Sequence, residues 1–130
     1  MKQGWMLLLA ALTITAVLAA CGSSEGAAPD DAAVKQGQQL FTTGGSSGIP
    51  CATCHTLDGS PLVGPSLQGL AARAGERIDG VSAEEYLHMS IVSPSSYLVD
   101  GFSDLMPKTF GEALSPDEID SLVAFMLTLK

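Results

Sequence analysis

Residues 48–59 read GIPCATCHTLDG. Two cysteines, Cys51 and Cys54, stand three apart, and His55 follows the second directly. Three chemistries use such a cluster: a redox thiol pair, half of a zinc site, or the covalent seat of a haem. The rest of the chain separates them.

A zinc site wants four ligands, but no second Cys or His pair with finger-like spacing follows, and His88 is the only other histidine. A thioredoxin-type pair opens a helix after a strand in an α/β pattern. Here Pro50 and the glycine-rich TTGGSSGIP of residues 42–50 come first. A plain disulfide between Cys51 and Cys54 suits the spacing but does nothing for the interior of a small domain. Cys-x-x-Cys-His is also the attachment signature of c-type haem: the thiols form thioethers to the porphyrin vinyls, and the histidine reaches the iron from one side. Both sulfurs must then meet fixed points on a rigid ring while His55 lies below its centre.

The start of the chain sets the compartment. MKQGWMLLLAALTITAVLAAC has one early Lys, an apolar run from Trp5 to Ala20, and small residues before Cys21. This is the layout of a secretory signal peptide over residues 1–20. The run is shorter than the roughly 20 residues that span a bilayer as a helix. Leu18-Ala19-Ala20-Cys21 resembles a bacterial lipobox, which makes Cys21 a lipidation site after cleavage; the alternative is an ordinary cleaved signal that leaves an odd cysteine. Acyl chains on Cys21, each buried methylene contributing about 0.8 kcal/mol, would hold the mature chain at a membrane surface. Gly22 to Ala33 contains no bulky apolar residue, so residues 21–33 read as a flexible tether.

The remainder suffices for one small domain, residues 34–130. The formal net charge of −8 argues against a nucleic-acid partner, which selects basic patches, and favours partners with a basic docking face. Solubility alone is the blander reason for such a surface.

Four helical segments are expected, with no strand and no internal repeat. The first runs from about Ala32 to Thr42, with Asp31 as cap and Val34, Gly37, Leu40 and Phe41 on one face. Gly37 lowers helix propensity by about 1 kcal/mol, so something is expected to pack closely against it. A second, short helix covers LQGLAARA after Ser66. The third begins at a Ser82/Glu85 capping box with Val81 and Tyr86 as staple, and ends before Pro94. The fourth repeats the device with Ser115, Pro116 and Glu118, with Leu114 facing Ile119, and carries an apolar stripe of Ile119, Leu122, Val123, Met126 and Leu129. Short helices, long loops and aromatics at 5% make a thin core. Small domains often need a staple, and a large apolar cofactor would supply the missing interior.

A sixth iron position needs a residue on the far face. Met106 is the best candidate: Pro107 keeps its loop, DLMPKTF, out of helix and lets the thioether project inward. Met126 and Met89 read as core. His88 is a weaker rival on a helix surface.

Over about Val34 to Leu129 the chain resembles class I cytochromes c, the monohaem electron carriers. The resemblance rests on Gly37-x-x-Leu40-Phe41, the Cys51 to His55 motif, Gly64-Pro65-x-Leu67, and LMPKTFGEALSPDEIDSLVAFMLTL at residues 105–129. It implies a small all-α fold of about four helices wrapped around one covalent haem c. It further implies that the first and last helices cross, Gly37 meeting Phe125, that the Pro65 carbonyl holds the far ring nitrogen of His55, and that Met106 is the second axial ligand. For Gly64-Pro65 an ordinary turn is the alternative. Tyr97 would hydrogen-bond a haem propionate or pack half-buried, and the tryptophan that some members place near a propionate is missing.

The function implied is an electron carrier and no enzyme: a membrane-tethered protein moving single electrons between respiratory or photosynthetic redox proteins at the outer face of a bacterial cytoplasmic membrane, with no small-molecule substrate. Residues 81–107, VSAEEYLHMSIVSPSSYLVDGFSDLMP, also look like haem c subunits of quinol-oxidising or terminal oxidase complexes, which makes a resident subunit the alternative. An open sixth position would instead imply a haem enzyme or gas-binding protein, and a non-haem thiol pair stands third.

Overall fold

A computed structural model describes residues 30–130. The leader, Cys21 and most of the tether lie outside the described residues. Helix α1 spans Asp31–Thr43, α2 Leu70–Ala74, α3 Ala83–Val92, α4 Phe110–Ala113 and α5 Pro116–Met126, and no strand forms among the described residues. None of these helices is long and apolar enough to cross a membrane.

Helix α1 begins at Asp31, inside the segment assigned to the tether, and its cap is Asp30 rather than Asp31. Asp30 is extended, at φ −61° and ψ 129°, so its carboxylate can turn back to accept from the Ala32 N–H. Asp31 is already helical, and its charge sits in the first turn, where the helix dipole favours an anion. The helix stops at Gly44, whose φ of +83° lets its N–H reach the Leu40 carbonyl at 2.8 Å.

The LQGLAARA segment is helical only from Leu70, because Gly69 takes a left-handed conformation at φ +67°. Leu67 stays outside the helix as a buried residue whose N–H donates to Thr56 at 2.8 Å. Helix α3 keeps half of the expected box: the Ser82 hydroxyl accepts from the Glu85 N–H at 3.2 Å, but the Glu85 side chain returns no bond to the Ser82 N–H; Val81 and Tyr86 both pack into the core. Helix α5 has the full box, with Glu118 returning a bond to the Ser115 N–H at 2.9 Å. Helix α4 was not expected. It is one turn long, has no side-chain cap, and seats Gly111 against the Val92 backbone.

The central packing is α1 on α5. A Cβ on Gly37 would lie 1.9 Å from the Ser121 carbonyl oxygen and 2.7 Å from the Phe125 Cβ. Only a hydrogen fits there. Phe41 then meets Phe125 with ring centroids 5.8 Å apart at 53°, a tilted pairing typical of aromatic contacts. The stripe of α5 is buried at Ile119, Leu122, Val123 and Met126, while Leu129 is half-buried and its carbonyl accepts from the Ala71 N–H at 3.0 Å. The C-terminus is thereby tied to α2.

Gly37→Ala is expected to force α1 and α5 apart against backbone atoms that cannot yield. Overpacking of this kind costs about 2 kcal/mol, or roughly 10 °C of thermal midpoint in a domain of this size. A thermal melt of the variant checks it, and an unchanged midpoint would mean the two helices tolerate separation.

Candidate functional site

The segment leaving α1 is short and heavily constrained. A 3₁₀ turn at Gly45–Ser47 is followed by Pro50 in extended conformation and a second 3₁₀ turn at Cys51–Thr53. The N–H groups of Cys54 and His55 both donate to the Cys51 carbonyl, at 3.1 and 3.0 Å. One turn of backbone therefore brings Cys51, Cys54 and His55 to the same wall of a cleft. Both thiols are free, and burial, with Cys54 nearby, pushes the Cys51 thiol up from its ordinary range.

Glu118 anchors this segment from the far helix. One carboxylate oxygen accepts from the Ser46 N–H at 2.8 Å and from the Ser46 hydroxyl at 3.0 Å, while the other serves the Ser115 cap. The backbone N–H groups of Ser115 and Ser46 hold the Glu118 carboxyl down to about 2.

His55 is positioned by a second loop. Its Nδ1 lies 2.8 Å from the Pro65 carbonyl oxygen. A carbonyl can only accept, so Nδ1 carries a proton, and in the neutral ring this leaves the lone pair on Nε2, the form that binds a metal. The loop is stitched to the cysteine turn by Gly64 N–H to the Cys54 carbonyl at 2.9 Å and Leu67 N–H to the Thr56 carbonyl at 2.8 Å. A Cβ on Gly64 would stand 2.5 Å from the imidazole Cε1, so the loop can lie against the ring only because residue 64 has no side chain.

The cleft opens to solvent, and its walls are mainly apolar. Much of the hydrophobic core lines it, including Phe41, Leu67, Leu87, Ile91, Phe110 and Leu122. The thin core expected from composition is thus a shell around a space.

Met106, half-buried, lines the same cleft as His55. Its loop is braced: Lys108 Nζ donates to the Met106 carbonyl at 3.0 Å and pairs with Asp104, which also accepts from the Ser95 hydroxyl at 3.0 Å. Tyr97 lines the cleft half-buried and meets Tyr86 edge-on, with centroids 5.6 Å apart at 84°, so its packing role is realised. Met126 is core and also reaches the cleft, whereas Met89 packs against the core elsewhere. His88 is exposed in the groove between α3 and α5, beside Glu84, Glu85 and Asp120, and does not reach the cleft. No group of three or more His, Cys, Asp or Glu suited to a metal ion exists among the described residues.

Sequence reasoning missed the chain's two arginines. Arg73 and Arg77 both line the cleft; Arg73 donates to the carbonyls of Gln68 and Ser66, the latter at 2.7 Å, while the Arg77 Nε is buried without a hydrogen-bond partner. The available signal was their spacing, RAGER, just after the Gly64-Pro65 loop in an otherwise acidic chain.

Two thiols, an imidazole with its lone pair free, and an orphaned buried N–H around one apolar space suit a flat, covalently held cofactor bearing a metal and an acid group. The arrangement defines a covalent haem-binding domain. A family model for cytochrome c matches residues 34–130, and the chain belongs to that family. An engineered cytochrome c from Rhodothermus marinus has a similar fold, at 23% identity over 83% of this chain and 86% of that one with a TM-score of 0.54. The same engineered protein bound to a carbene intermediate aligns over the same shares at 23% identity, with a TM-score of 0.50. No curated protein matches. This is therefore a class I monohaem c-type cytochrome, a haem-based electron carrier with one covalent haem c.

Glu118→Gln is expected to change acid stability. The depressed folded-state value means the carboxylate's contribution is fully present above the ordinary 4.5 and is lost as pH falls through about 2. Wild type should therefore melt above the variant near pH 6, and the gap should close toward pH 2; parallel curves over that range would show that the Ser46 and Ser115 bonds contribute nothing.

Proposed function

We propose that this chain is a lipid-tethered carrier that moves single electrons between respiratory or photosynthetic redox proteins at the outer face of a bacterial cytoplasmic membrane. The observation that carries the reading is the 2.8 Å contact between His55 Nδ1 and the Pro65 carbonyl, which leaves Nε2 free to bind iron. Cys51 and Cys54, on the same turn, would form the two thioethers. Met106, braced in the same cleft, would hold the opposite side of the iron. When bound, the haem supplies a one-electron iron couple, and histidine with methionine ligation raises its potential.

If His55 and Met106 both hold the iron, no site would be left for a small substrate, and the protein's task would be to keep the couple dry and rigid. The apolar walls exclude water. The bonds to Pro65 and from Lys108 keep both candidate ligands in place through each electron transfer. Ile49, Val63, Leu98 and Leu105 are exposed apolar residues at the cleft's edge, suited to a small, transient docking interface, with the acidic remainder of the surface favouring a basic partner. The tether would keep carrier and partners on one surface and raise their effective concentration. A resident haem c subunit of a respiratory complex is the second reading, favoured by the stretch 81–107.

The first test is the optical spectrum of the mature holoprotein. A low-spin haem with the ferric methionine-to-iron charge-transfer band and no rapid carbon monoxide binding is expected. Met106→Ala should lose the band and gain carbon monoxide binding, and an unchanged spectrum would refute the ligand assignment; a wild-type protein that binds carbon monoxide would point to an enzyme or gas sensor.

Cys21→Ser, with export intact, should move the protein to the soluble fraction. Retention on the membrane would favour the resident subunit or an uncleaved leader.

A further inference from the structure

Helices α3 and α5 each serve two separate surfaces. Tyr86, Leu87, Ser90 and Ile91 of α3, with Leu122 and Met126 of α5, line the cleft. Glu84, Glu85 and His88 of α3 face a second hollow between the same two helices, and Asp120 of α5 stands on its other bank. The floor of this groove is Val123, Ala124 and Leu127, so what it presents between its banks is mainly apolar. The two hollows share no residue, and the groove opens apart from the cleft.

The chain leaves the charge of the groove uncompensated. Glu84, Glu85, His88 and Asp120 are all exposed. The sole ion pair among the described residues joins Lys108 to Asp104, so no carboxylate of the groove is neutralised, and His88 pairs with neither Glu84 nor Glu85 one turn before it. No lysine or arginine lines the groove. A solvated helix face ordinarily interleaves both signs of charge. Here an apolar floor runs between two banks of a single sign.

That pattern selects the occupant. The four polar groups are not gathered into a metal-binding set. An anionic lipid surface is repelled, and a second copy of this chain would set acidic bank against acidic bank. A helix with an apolar stripe flanked by lysines or arginines fits both features: its stripe and methylene stems cover the floor while its charges reach the carboxylates. Ala124, the smallest side chain of the floor, allows the close approach.

We propose that the α3–α5 groove docks a basic amphipathic helix of a partner protein, apart from the cleft mouth where redox partners meet. The groove exists whatever fills the cleft; only its consequence for electron transfer rests on the carrier reading. A partner seated there leaves Ile49, Val63, Leu98 and Leu105 at the cleft's edge uncovered. One protein can then hold this chain while another exchanges electrons with it, which is the geometry a resident subunit requires.

The test titrates ferrous holoprotein with a synthetic peptide of about three helical turns, leucine along one face and lysine on both flanks. A second peptide keeps the lysines and replaces the leucines by glutamine. Nuclear magnetic resonance should show the first peptide shifting the amides of Glu85, His88, Ala124 and Leu127 while those of Ile49, Leu98 and Leu105 stay in place. Affinity should fall about tenfold for the leucine-free peptide, and about tenfold again when Glu84→Gln, Glu85→Gln and Asp120→Asn are combined. Equal affinity for both peptides, or for wild type and variant, would reduce the attraction to net charge and overturn the assignment. Shifts centred on the cleft mouth, or none at all, would overturn it on wild type alone, even if the variant folds poorly. Reduction of ferric holoprotein by ascorbate should not slow with the peptide bound, and slowing would overturn the separation of the two surfaces. Wild type that takes up no covalent haem would sink the carrier reading instead, while the amide shifts still decide the groove.

Discussion

The close approach of the first and last helices organises everything else in this molecule. Gly37 lets α1 come within a hydrogen atom's reach of the Ser121 carbonyl, and Phe41 and Phe125 pack beside that point. Because α1 ends only a few residues before Cys51, fixing α1 on α5 also fixes where the cysteine turn starts. Glu118 reinforces the connection by holding its own helix cap with one oxygen and Ser46 with the other. Packing and one carboxylate thus place the thiols before any cofactor is considered.

From that anchor the remaining elements form a shell. Helix α2 is tied to the C-terminus, α3 contributes Tyr86, Leu87 and Ile91, and the loop before α4 contributes Met106, all toward one space. A shell of this kind buries less apolar surface than a closed core would, and domains of this size have little stability to spare. A large apolar ring inside it would be both the functional group and part of the interior, which couples maturation to folding. The same economy explains the backbone-heavy hydrogen bonding: the Pro65, Ser66 and Gln68 carbonyls do orienting work that side chains would otherwise do.

Most of the candidate site was legible because it is local. Cys51, Cys54 and His55 lie within one turn of chain, and their spacing is imposed by a rigid ring, so the motif carries its meaning in five residues. Gly37 was readable as a close-approach site because a glycine inside a helix is otherwise a loss. The caps at Ser82 and Ser115 were readable because their bonds span three residues. The Asp30 cap was misplaced by one residue because two adjacent aspartates offer the same side chain, and only backbone conformation tells them apart. Helix α4 lacks a cap and is too short for a period, and Gly69 cut α2 short through a conformation that composition does not reveal.

By itself, then, the order of residues determined the attachment chemistry, the all-α class and the helix that Gly37 serves, since each depends on neighbours a few positions apart. Only the tertiary structure decided which groups share the cleft. It set His55 on the Pro65 carbonyl, kept His88 out on the surface, and turned Arg73 to the loop while leaving Arg77 unsatisfied. Those outcomes depend on how loops separated along the chain come to rest against one another, and a hydrogen bond's direction and a side chain's burial exist only once they have.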